Sequence, residues 1–258
     1  MSMSLRHPEI LEIITSVGHV EVEDLAARFG VSVQTIRRDL SDLAESGRVE
    51  RVHGGAILAS GTANIAYEQR RNLNSDAKSK IAEHCAGLIP NDCSVFLNIG
   101  TTTEAVARKL VHHKGLIVVA NNINIVTALN EAQGVQVILT GGSVRRSDGG
   151  LVGPFANQTI RQFNFDYAIV GCSALGSKGE LFDFDSQEVE ASRIILGCAR
   201  TRILVADRTK YTRTAPIKIA DLQSIDVFVT DEDPSNSVHN EMQKCGTKLY
   251  VSSNLGKV

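Results

Sequence analysis

The stretch VSVQTIRRDL, Val31–Leu40, has the pattern of the turn and recognition helix of a helix-turn-helix. Ser32 is suited to be the N-cap, because its hydroxyl can accept a hydrogen bond from a free backbone N–H of the first turn. Three apolar residues recur at helical spacing and form one stripe: Ile36, Leu40 and Leu43. Three polar residues fall on the opposite side, near the helix end that enters a major groove: Gln34, Thr35 and Arg38. Taken alone, these residues also fit an ordinary amphipathic helix with a solvated polar face.

The flanking residues favour the DNA-binding interpretation. Two helices are predicted before this stretch, over Pro8–Ser16 and Val22–Phe29. Gly30 suits the positive φ of a tight turn, and Gly47 suits a C-terminal cap after the third helix. The segment RVERVHGGAIL, residues 48–58, alternates in character and predicts two short strands around a Gly-Gly turn at positions 54 and 55. The whole pattern predicts a winged helix-turn-helix over residues 1–58 that binds double-stranded DNA.

The positive charge of residues 1–58 is concentrated near the predicted recognition helix and wing, and the region as a whole is not basic. Acidic residues outnumber basic ones in residues 1–58, so the strongly basic signature of many DNA-binding domains is absent. Four arginines nevertheless cluster around the predicted recognition helix and wing, and phosphate binding requires local potential rather than a basic total. The residues predicted to contact DNA are Ser32, Gln34, Thr35, Arg37, Arg38, Arg48, Arg51 and His53.

Length and composition restrict the class of protein. The chain has 258 residues and a formal net charge of −2, a size that supports one small and one medium domain. Its five cysteines are scattered without a CxxC pair, which argues against a zinc site and fits a reducing compartment. No apolar run of membrane-spanning length and no signal-peptide pattern is visible. We therefore expect a cytoplasmic protein without membrane contacts, metal or cofactor.

The residues after the wing predict an α/β domain. Residues 59–75 contain the small, polar stretch ASGTAN and form the predicted linker, and residues 76–258 form the second domain, opening with a helix over residues 76–88. Seven short apolar runs follow: 94–98, 116–119, 135–139, 167–170, 202–205, 227–229 and 248–251. Helical patterns separate most of them: 103–111, 123–131, 155–162, 187–197 and 235–244. This alternation predicts a mainly parallel sheet covered on both faces, with its ligand at the carboxyl ends of the strands.

The loops at those strand ends carry groups that bind anions and hydroxyls. After the first strand, Gly100 and three threonines open a helix, so that backbone N–H groups, hydroxyls and the helix dipole favour an anion. Arg145 beside glycine-rich backbone suits a phosphate, although a solvated surface loop is the alternative. Acidic residues before residue 190 could accept from hydroxyls, but Asp185 or Ser186 could equally cap the following helix. The residues predicted to bind an effector are Gly100, Thr101, Thr102, Thr103, Asn121, Asn122, Gly141, Gly142, Arg145, Asp183, Glu188 and Lys210.

Several segments, in order, resemble the DeoR family of bacterial transcriptional regulators: VSVQTIRRDL, RVHGGA, NIGTTTEAVA, NNINIV, TGGSVRRSDGG, FDYAIVG, LFDFDSQEV and DRTKY. The resemblance covers essentially the whole chain. It implies a repressor that leaves operator DNA on binding a sugar-phosphate-type effector, and a C-terminal fold similar to ribose 5-phosphate isomerase. NIGTTTEAVA, RSDGG and FDFDSQEV are most similar to the glycerol 3-phosphate branch of the family, which implies glycerol 3-phosphate as the effector.

Other functions remain open at this stage. The effector could be another sugar or polyol phosphate, and the regulator could be an activator. A sugar-phosphate isomerase-like enzyme with Asp183, Glu188 or Lys210 as acid–base groups is the competing class, although likeness of fold is weak support for a reaction. One recognition helix buries too little surface for operator specificity, so a homodimer or homotetramer is expected, with residues 59–74 as the relay between domains.

Overall fold

A computed structural model describes residues 6–17, 19–46, 48–52, 54–58 and 67–252. The predicted cap at Gly47, the predicted DNA contact of His53 and the polar stretch 59–64 lie outside these residues. The N-terminal part contains α1 (His7–Val17), β1 (His19–Glu21), α2 (Val22–Phe29), α3 (Val33–Glu45), β2 (Val49–Val52) and β3 (Gly55–Leu58). The strands form an antiparallel sheet in the order β1-β3-β2.

The three N-terminal helices enclose one apolar core. Ile36, Leu40 and Leu43 are all buried, as the helical spacing in α3 predicts, and they pack with Ile10 and Ile14 of α1. Gly30 ends α2 in the left-handed conformation with a φ of +63°, where its missing Cβ removes the steric penalty. The predicted three helices and wing are therefore present. The three-residue strand β1 was not predicted, because it is too short to show a period.

A buried carboxylate joins α1 to the recognition helix. Asp39 of α3 is 5% exposed and accepts from Arg6 Nε at 2.9 Å, and His7 Nε2 lies 3.3 Å from its other oxygen. A buried charge requires such partners, because water no longer solvates it. This contact holds α3 in register with α1.

The C-terminal part is built on a parallel sheet of seven strands. Its strands are β4 (Ser94–Leu97), β5 (Leu116–Ala120), β6 (Val135–Leu139), β9 (Phe165–Val170), β12 (Ala199–Val205), β14 (Val227–Thr230) and β15 (Lys248–Val251). They lie in the order β15-β14-β12-β9-β4-β5-β6. All seven predicted strands are thus in one sheet. From β4 the chain proceeds to β5 and β6 on one side, whereas β9 and the later strands lie on the other. The carboxyl ends of β4 and β9 therefore form the topological switch point, where such sheets bind ligands.

Helices cover both faces of this sheet. On one face lie α5 (Ser75–Gly87), α6 (Thr101–Lys109) and α7 (Ile123–Leu129), which bury side chains against the first core cluster. On the other lie α8 (Pro154–Ile160), α9 (Ser186–Gly197) and α10 (Asn236–Cys245), which pack on the second cluster. The near-continuous apolar strands follow from burial on both sides. No helix in the described part of the chain combines the length and apolar character needed to span a membrane.

Five further strands and one helix of the described residues lie around the sheet. β7 (Ser143–Arg145) and β8 (Gly150–Val152) form a hairpin, and β10 (Ala174–Leu175), β11 (Glu180–Asp183) and β13 (Ile217–Asp221) form a small antiparallel sheet. None of these strands was predicted. Four of them have only two to four residues and lie in glycine-rich loops, so they lack a clear period, whereas the alternation of β13, IKIAD, does indicate a strand. Within the predicted linker, α4 (Tyr67–Asn72) is a helix that contacts α6. This part of the predicted linker therefore packs on the second domain.

Candidate functional site

The recognition helix begins with the predicted cap. Ser32 Oγ accepts from the backbone N–H of Thr35 at 3.1 Å and lies 2.8 Å from Thr35 Oγ1. Both hydroxyls are thus engaged in starting α3. We assign these two residues primarily to orienting the helix.

Three long polar side chains of α3, Gln34, Arg37 and Arg38, are exposed, as is Arg48 before β2. Arg51 Nη1 donates to the Arg37 carbonyl at 3.1 Å and to Ser41 Oγ at 2.8 Å. Arg51 therefore braces the wing against α3 while remaining exposed. The structure brings these predicted DNA-binding side chains to one helix and its adjoining wing.

At the switch point, Gly100 is the N-cap residue of α6 and the three threonines form its first turn. Thr103 is fully buried, and its hydroxyl lies 2.6 Å from the Asn98 carbonyl and 2.7 Å from the Gly100 carbonyl. Its hydroxyl serves the loop itself, so the geometry does not support the predicted effector contact of this side chain. Thr101 Oγ1 lies 3.5 Å from the Arg70 carbonyl, and Thr102 is 6% exposed. Thr101 and Thr102 remain the threonines suited to an anion.

Four cations gather beside this turn. Lys210 lies in the turn after β12, Lys78 comes from α5 and Arg70 from α4, and Arg213 follows Lys210. The pKa of Lys78 is lowered to about 8. Burial is the main cause, and the charges of Lys210 and Arg70 act in the same direction. Burial and the Arg213 charge likewise lower the pKa of Lys210. Like charges held in a poorly solvated place favour the binding of an anion.

Asp207 is the carboxylate among these cations, and it is 1% exposed. Burial opposes its ionisation, but Lys210, Thr209 and Lys78 keep its pKa below the usual value. Its Oδ1 accepts from Asn74 Nδ2 at 3.3 Å and from the Thr209 N–H at 3.0 Å. Arg70 also pairs with Asp148, and the charge of Asp183 acts on Arg213. The positive excess therefore lies on Lys78 and Lys210, which share the single charge of Asp207.

The two predicted asparagines after β5 have different surroundings. Asn122 Nδ2 donates to Glu104 Oε1 at 3.2 Å, and its Oδ1 accepts from the Asn124 N–H at 2.7 Å. Tyr67 of α4 donates to the other oxygen of Glu104 at 2.8 Å. Asn121 is fully buried, and neither atom of its amide has a hydrogen-bond partner among the described residues. Asn122 thus belongs to a network that fastens α4 to α6.

Arg145 of β7 is surrounded by carboxylates. It binds Asp148 at 2.7 Å, Asp185 at 3.0 Å and Glu188 at 2.5 Å. Burial, followed by the charge of Asp183, raises the pKa of Glu188 to about 8. Because a phosphate would meet three acids here, the geometry does not support the predicted phosphate contact of Arg145. The cluster is suited to uncharged hydroxyl groups instead.

The residues of two predicted effector-binding loops, around Asp183 and around Gly141, make contacts that stabilise the fold. Asp185 caps α9 by accepting from two backbone N–H groups, which realises the capping alternative, and Asp183 accepts from Ser173 Oγ at 3.0 Å. Gly142 has a φ of +109°, and a Cβ there would stand 2.7 Å from the Val152 carbonyl oxygen. Gly141 and Gly142 are exposed at the start of the hairpin, and the contacts of Gly142 are with β8 and α8 rather than with α6.

Five residues of the site were not predicted from the sequence: Lys78, Asp207, Arg213, Tyr67 and Arg70. Lys78 occupies a helix position that looks like a solvated lysine, and only its burial at 4% exposure reveals it. Asp207 opens the segment DRTKY, in which nothing indicates that its carboxylate is buried. Among the described residues there is no group of three or more His, Cys, Asp or Glu side chains that could hold a metal ion.

A winged helix-turn-helix joined to an α/β domain with an anion-suited switch point defines the class of ligand-responsive transcriptional regulators. The chain belongs to the DeoR family: the DeoR-like helix-turn-helix domain matches residues 6–62, and the DeoR C terminal sensor domain matches residues 73–232. The names of its curated relatives support the role of a transcriptional repressor.

Two of these relatives are glycerol-3-phosphate regulon repressors. That of Haemophilus influenzae is 40% identical over 258 residues, which covers 100% of both chains. That of Escherichia coli is 39% identical over 238 residues, covering 92% of this chain and 94% of the relative. A solved ribose 5-phosphate isomerase A from Methanocaldococcus jannaschii is 13% identical and aligns with a TM-score of 0.40 over 54% of this chain and 55% of its own.

Proposed function

We propose that this repressor leaves its operator DNA when a phosphorylated polyol or sugar, glycerol 3-phosphate foremost, binds at the switch point of the C-terminal sheet. The observation that carries the proposal is the pair of lysines, Lys78 and Lys210, whose pKa values burial lowers beside the first turn of α6. A dianionic phosphate supplies the negative charge that Asp207 alone does not, and charge-assisted hydrogen bonds to it are among the strongest available. The names of the relatives support glycerol 3-phosphate over other phosphates.

In this proposal the phosphate lies against Gly100, Thr101 and Thr102, with Lys78 and Lys210 as cationic partners. The hydroxyl end of the effector lies toward Asp183, Glu188 and Arg145. We propose three parts of the chain: a DNA-binding domain over residues 1–58, a linker over residues 59–75, and an effector-binding and oligomerisation domain over residues 76–258. A homodimer or homotetramer then presents two or more recognition helices to repeated half-sites.

Thermal unfolding of the full chain tests the effector directly. A ligand at 100 times its Kd that binds only the folded state contributes about 2.7 kcal/mol, which for a chain of this size raises the midpoint by roughly 5–10 °C. We expect this rise with glycerol 3-phosphate and not with glycerol. If fructose 6-phosphate alone raises the midpoint, the effector is a different sugar phosphate. If neither sugar phosphate nor inorganic phosphate raises it, the proposed phosphate site is wrong.

Thr102→Ala tests the phosphate loop. Losing one hydroxyl of the α6 turn should weaken glycerol 3-phosphate binding about three- to tenfold, the range expected for one hydrogen bond. Operator binding should be unchanged, but its release should require correspondingly more effector. Fluorescence anisotropy of labelled operator, titrated with glycerol 3-phosphate, measures both. Thr127→Ala, at an exposed hydroxyl that bonds the Ile123 carbonyl in α7, is the matched control. Full inducibility of Thr102→Ala would contradict the assignment.

The lowered pKa of Lys78 predicts a pH dependence of effector binding. A phosphate monoester is a dianion above about pH 7, because its second pKa is about 6. Lys78 loses its proton near pH 8, so its attraction for phosphate is present below pH 8 and lost above it. If only the charged form binds, the Kd should rise about tenfold from pH 7 to pH 9. Calorimetric titration measures this profile. Lys78→Arg, which stays charged, should flatten it.

A further inference from the structure

The two donors proposed to hold the phosphate are in contact with one backbone oxygen of α4. Lys78 Nζ donates to the carbonyl of Arg70, and Thr101 Oγ1 donates to the same carbonyl at 3.5 Å. Lys78 is 4% exposed, so its ammonium group has little access to water as an alternative hydrogen-bond acceptor. A carbonyl oxygen is an acceptor like a phosphate oxygen, but it carries far less charge. The Arg70 carbonyl thus accepts from the same two donors that the proposed site assigns to the phosphate.

Further contacts fasten the same helix to the sensor domain. Tyr67 donates to Glu104 Oε2 at 2.8 Å and accepts from Asn124 Nδ2 at 2.9 Å. Arg70 Nη2 lies 3.3 Å from Asp148 Oδ2. α4 is therefore held by a short network of polar contacts, and its docking can respond to a change in a few of them.

A basic cleft opens onto these donors. It has a volume of about 500 Å³, and Lys78 and Thr101 lie in its wall. Basic side chains continue along the cleft: Arg71, Arg108, Lys109 and His112. A cleft with this potential raises the local concentration of an anion and directs it toward the donors. The phosphate therefore has an approach to the Arg70 carbonyl from outside the domain.

We propose that the effector's phosphate displaces the Arg70 carbonyl from Lys78 and Thr101, and that the resulting release of α4 is the signal to the DNA-binding domain. This inference rests on the proposed phosphate site and deepens it. α4 begins at Tyr67, and only residues 59–66 separate it in sequence from the last strand of the wing. Displacing α4 changes the anchoring of that connection. Docking of α4 and binding of phosphate then exclude one another, so weakening the first must strengthen the second.

Tyr67→Phe tests this exclusion, because it removes both hydrogen bonds of the Tyr67 hydroxyl, to Glu104 and from Asn124, without touching the phosphate donors. Burial and the neighbouring Glu104 raise the pKa of Tyr67, so the phenol donates at every pH used. We expect Tyr67→Phe to bind glycerol 3-phosphate at least about twofold tighter by calorimetry, because the loss of even one of the two hydrogen bonds destabilises the competing state by that much. Asn72→Ala, at an exposed position of the same helix, should leave the Kd unchanged.

Hydrogen exchange of the wild-type chain gives a second measurement that does not depend on the variant. With saturating glycerol 3-phosphate, peptides covering residues 67–74 should exchange faster, while those covering residues 101–105 should exchange more slowly. Unchanged or weaker binding by Tyr67→Phe, or slower exchange of residues 67–74, would overturn the displacement and leave the phosphate site standing. If the wild-type chain binds neither glycerol 3-phosphate nor inorganic phosphate, both proposals fail.

Discussion

Arg38→Ala is expected to reduce operator affinity at least about 30-fold while leaving effector binding unchanged. Arg38 is exposed on α3, on the side opposite the buried Ile36 and Leu40. An arginine that forms a bidentate contact with a base contributes about 1–3 kcal/mol of discrimination. In a dimer the loss occurs at both half-sites, which gives about 2–6 kcal/mol in total. The fold should not change, because the side chain is solvated.

The measurement uses duplex DNA selected by the wild-type chain from a random library. Anisotropy titrations at one fixed salt concentration compare the wild type with Arg38→Ala, since affinities for DNA depend steeply on salt. Arg200→Ala removes an arginine that is 72% exposed in the C-terminal domain and serves as the matched control. A loss smaller than threefold for Arg38→Ala would show that another residue of α3 contacts the bases.

Lys210→Met is expected to weaken glycerol 3-phosphate binding about 10- to 150-fold, the equivalent of about 1.5–3 kcal/mol for a hydrogen bond to a charged group. Methionine keeps much of the apolar stem and removes only the ammonium. Lys210 forms no ion pair within 4 Å among the described residues, but its charge lowers the pKa of the buried Asp207, so the variant should also lose some stability, which thermal unfolding without effector measures. Operator binding should persist, and the effector should no longer release it at concentrations that act on the wild type.

Calorimetry of effector binding and anisotropy of operator binding separate these two effects. Lys80→Met, at an exposed position of α5, is the control for removing a lysine near the site. An unchanged effector Kd for Lys210→Met would exclude Lys210 from the site. Simultaneous loss of operator binding would instead indicate that Lys210 supports the fold or the assembly.

Local patterns were sufficient for most of the secondary structure. The stripe of Ile36, Leu40 and Leu43 and the break at Gly30 predict α2 and α3, because helix periodicity and positive φ are properties of neighbouring residues. The seven main strands follow from short apolar runs, since burial on both faces requires them. Three strands, β1, β7 and β8, could not be predicted from the sequence, because a strand of three residues is too short to show a hydrophobic period.

Some residues of the candidate site can likewise be predicted from local sequence, and others cannot. Gly100 to Thr102 and Lys210 could be selected from the sequence, since each follows a recognisable strand. Lys78 could not, because an isolated lysine in a helix normally lies in solvent. The assignment of Arg145 to phosphate is not supported by the geometry: its three carboxylate partners come from β11–α9 and from its own hairpin, and their convergence is not visible in the order of residues.

The sequence by itself determined the two domains, the recognition helix and the glycine-threonine turn, because each depends on residues that are adjacent in the chain. The tertiary structure decided which distant residues share the switch point. Thr101, Lys78 and Lys210 meet only because β4 occupies the centre of the sheet and α5 packs against α6. Strand order and helix packing are set by the burial of apolar surface across the whole domain, so no single segment contains that information. The contact of α4 with this site is likewise a product of the assembled fold.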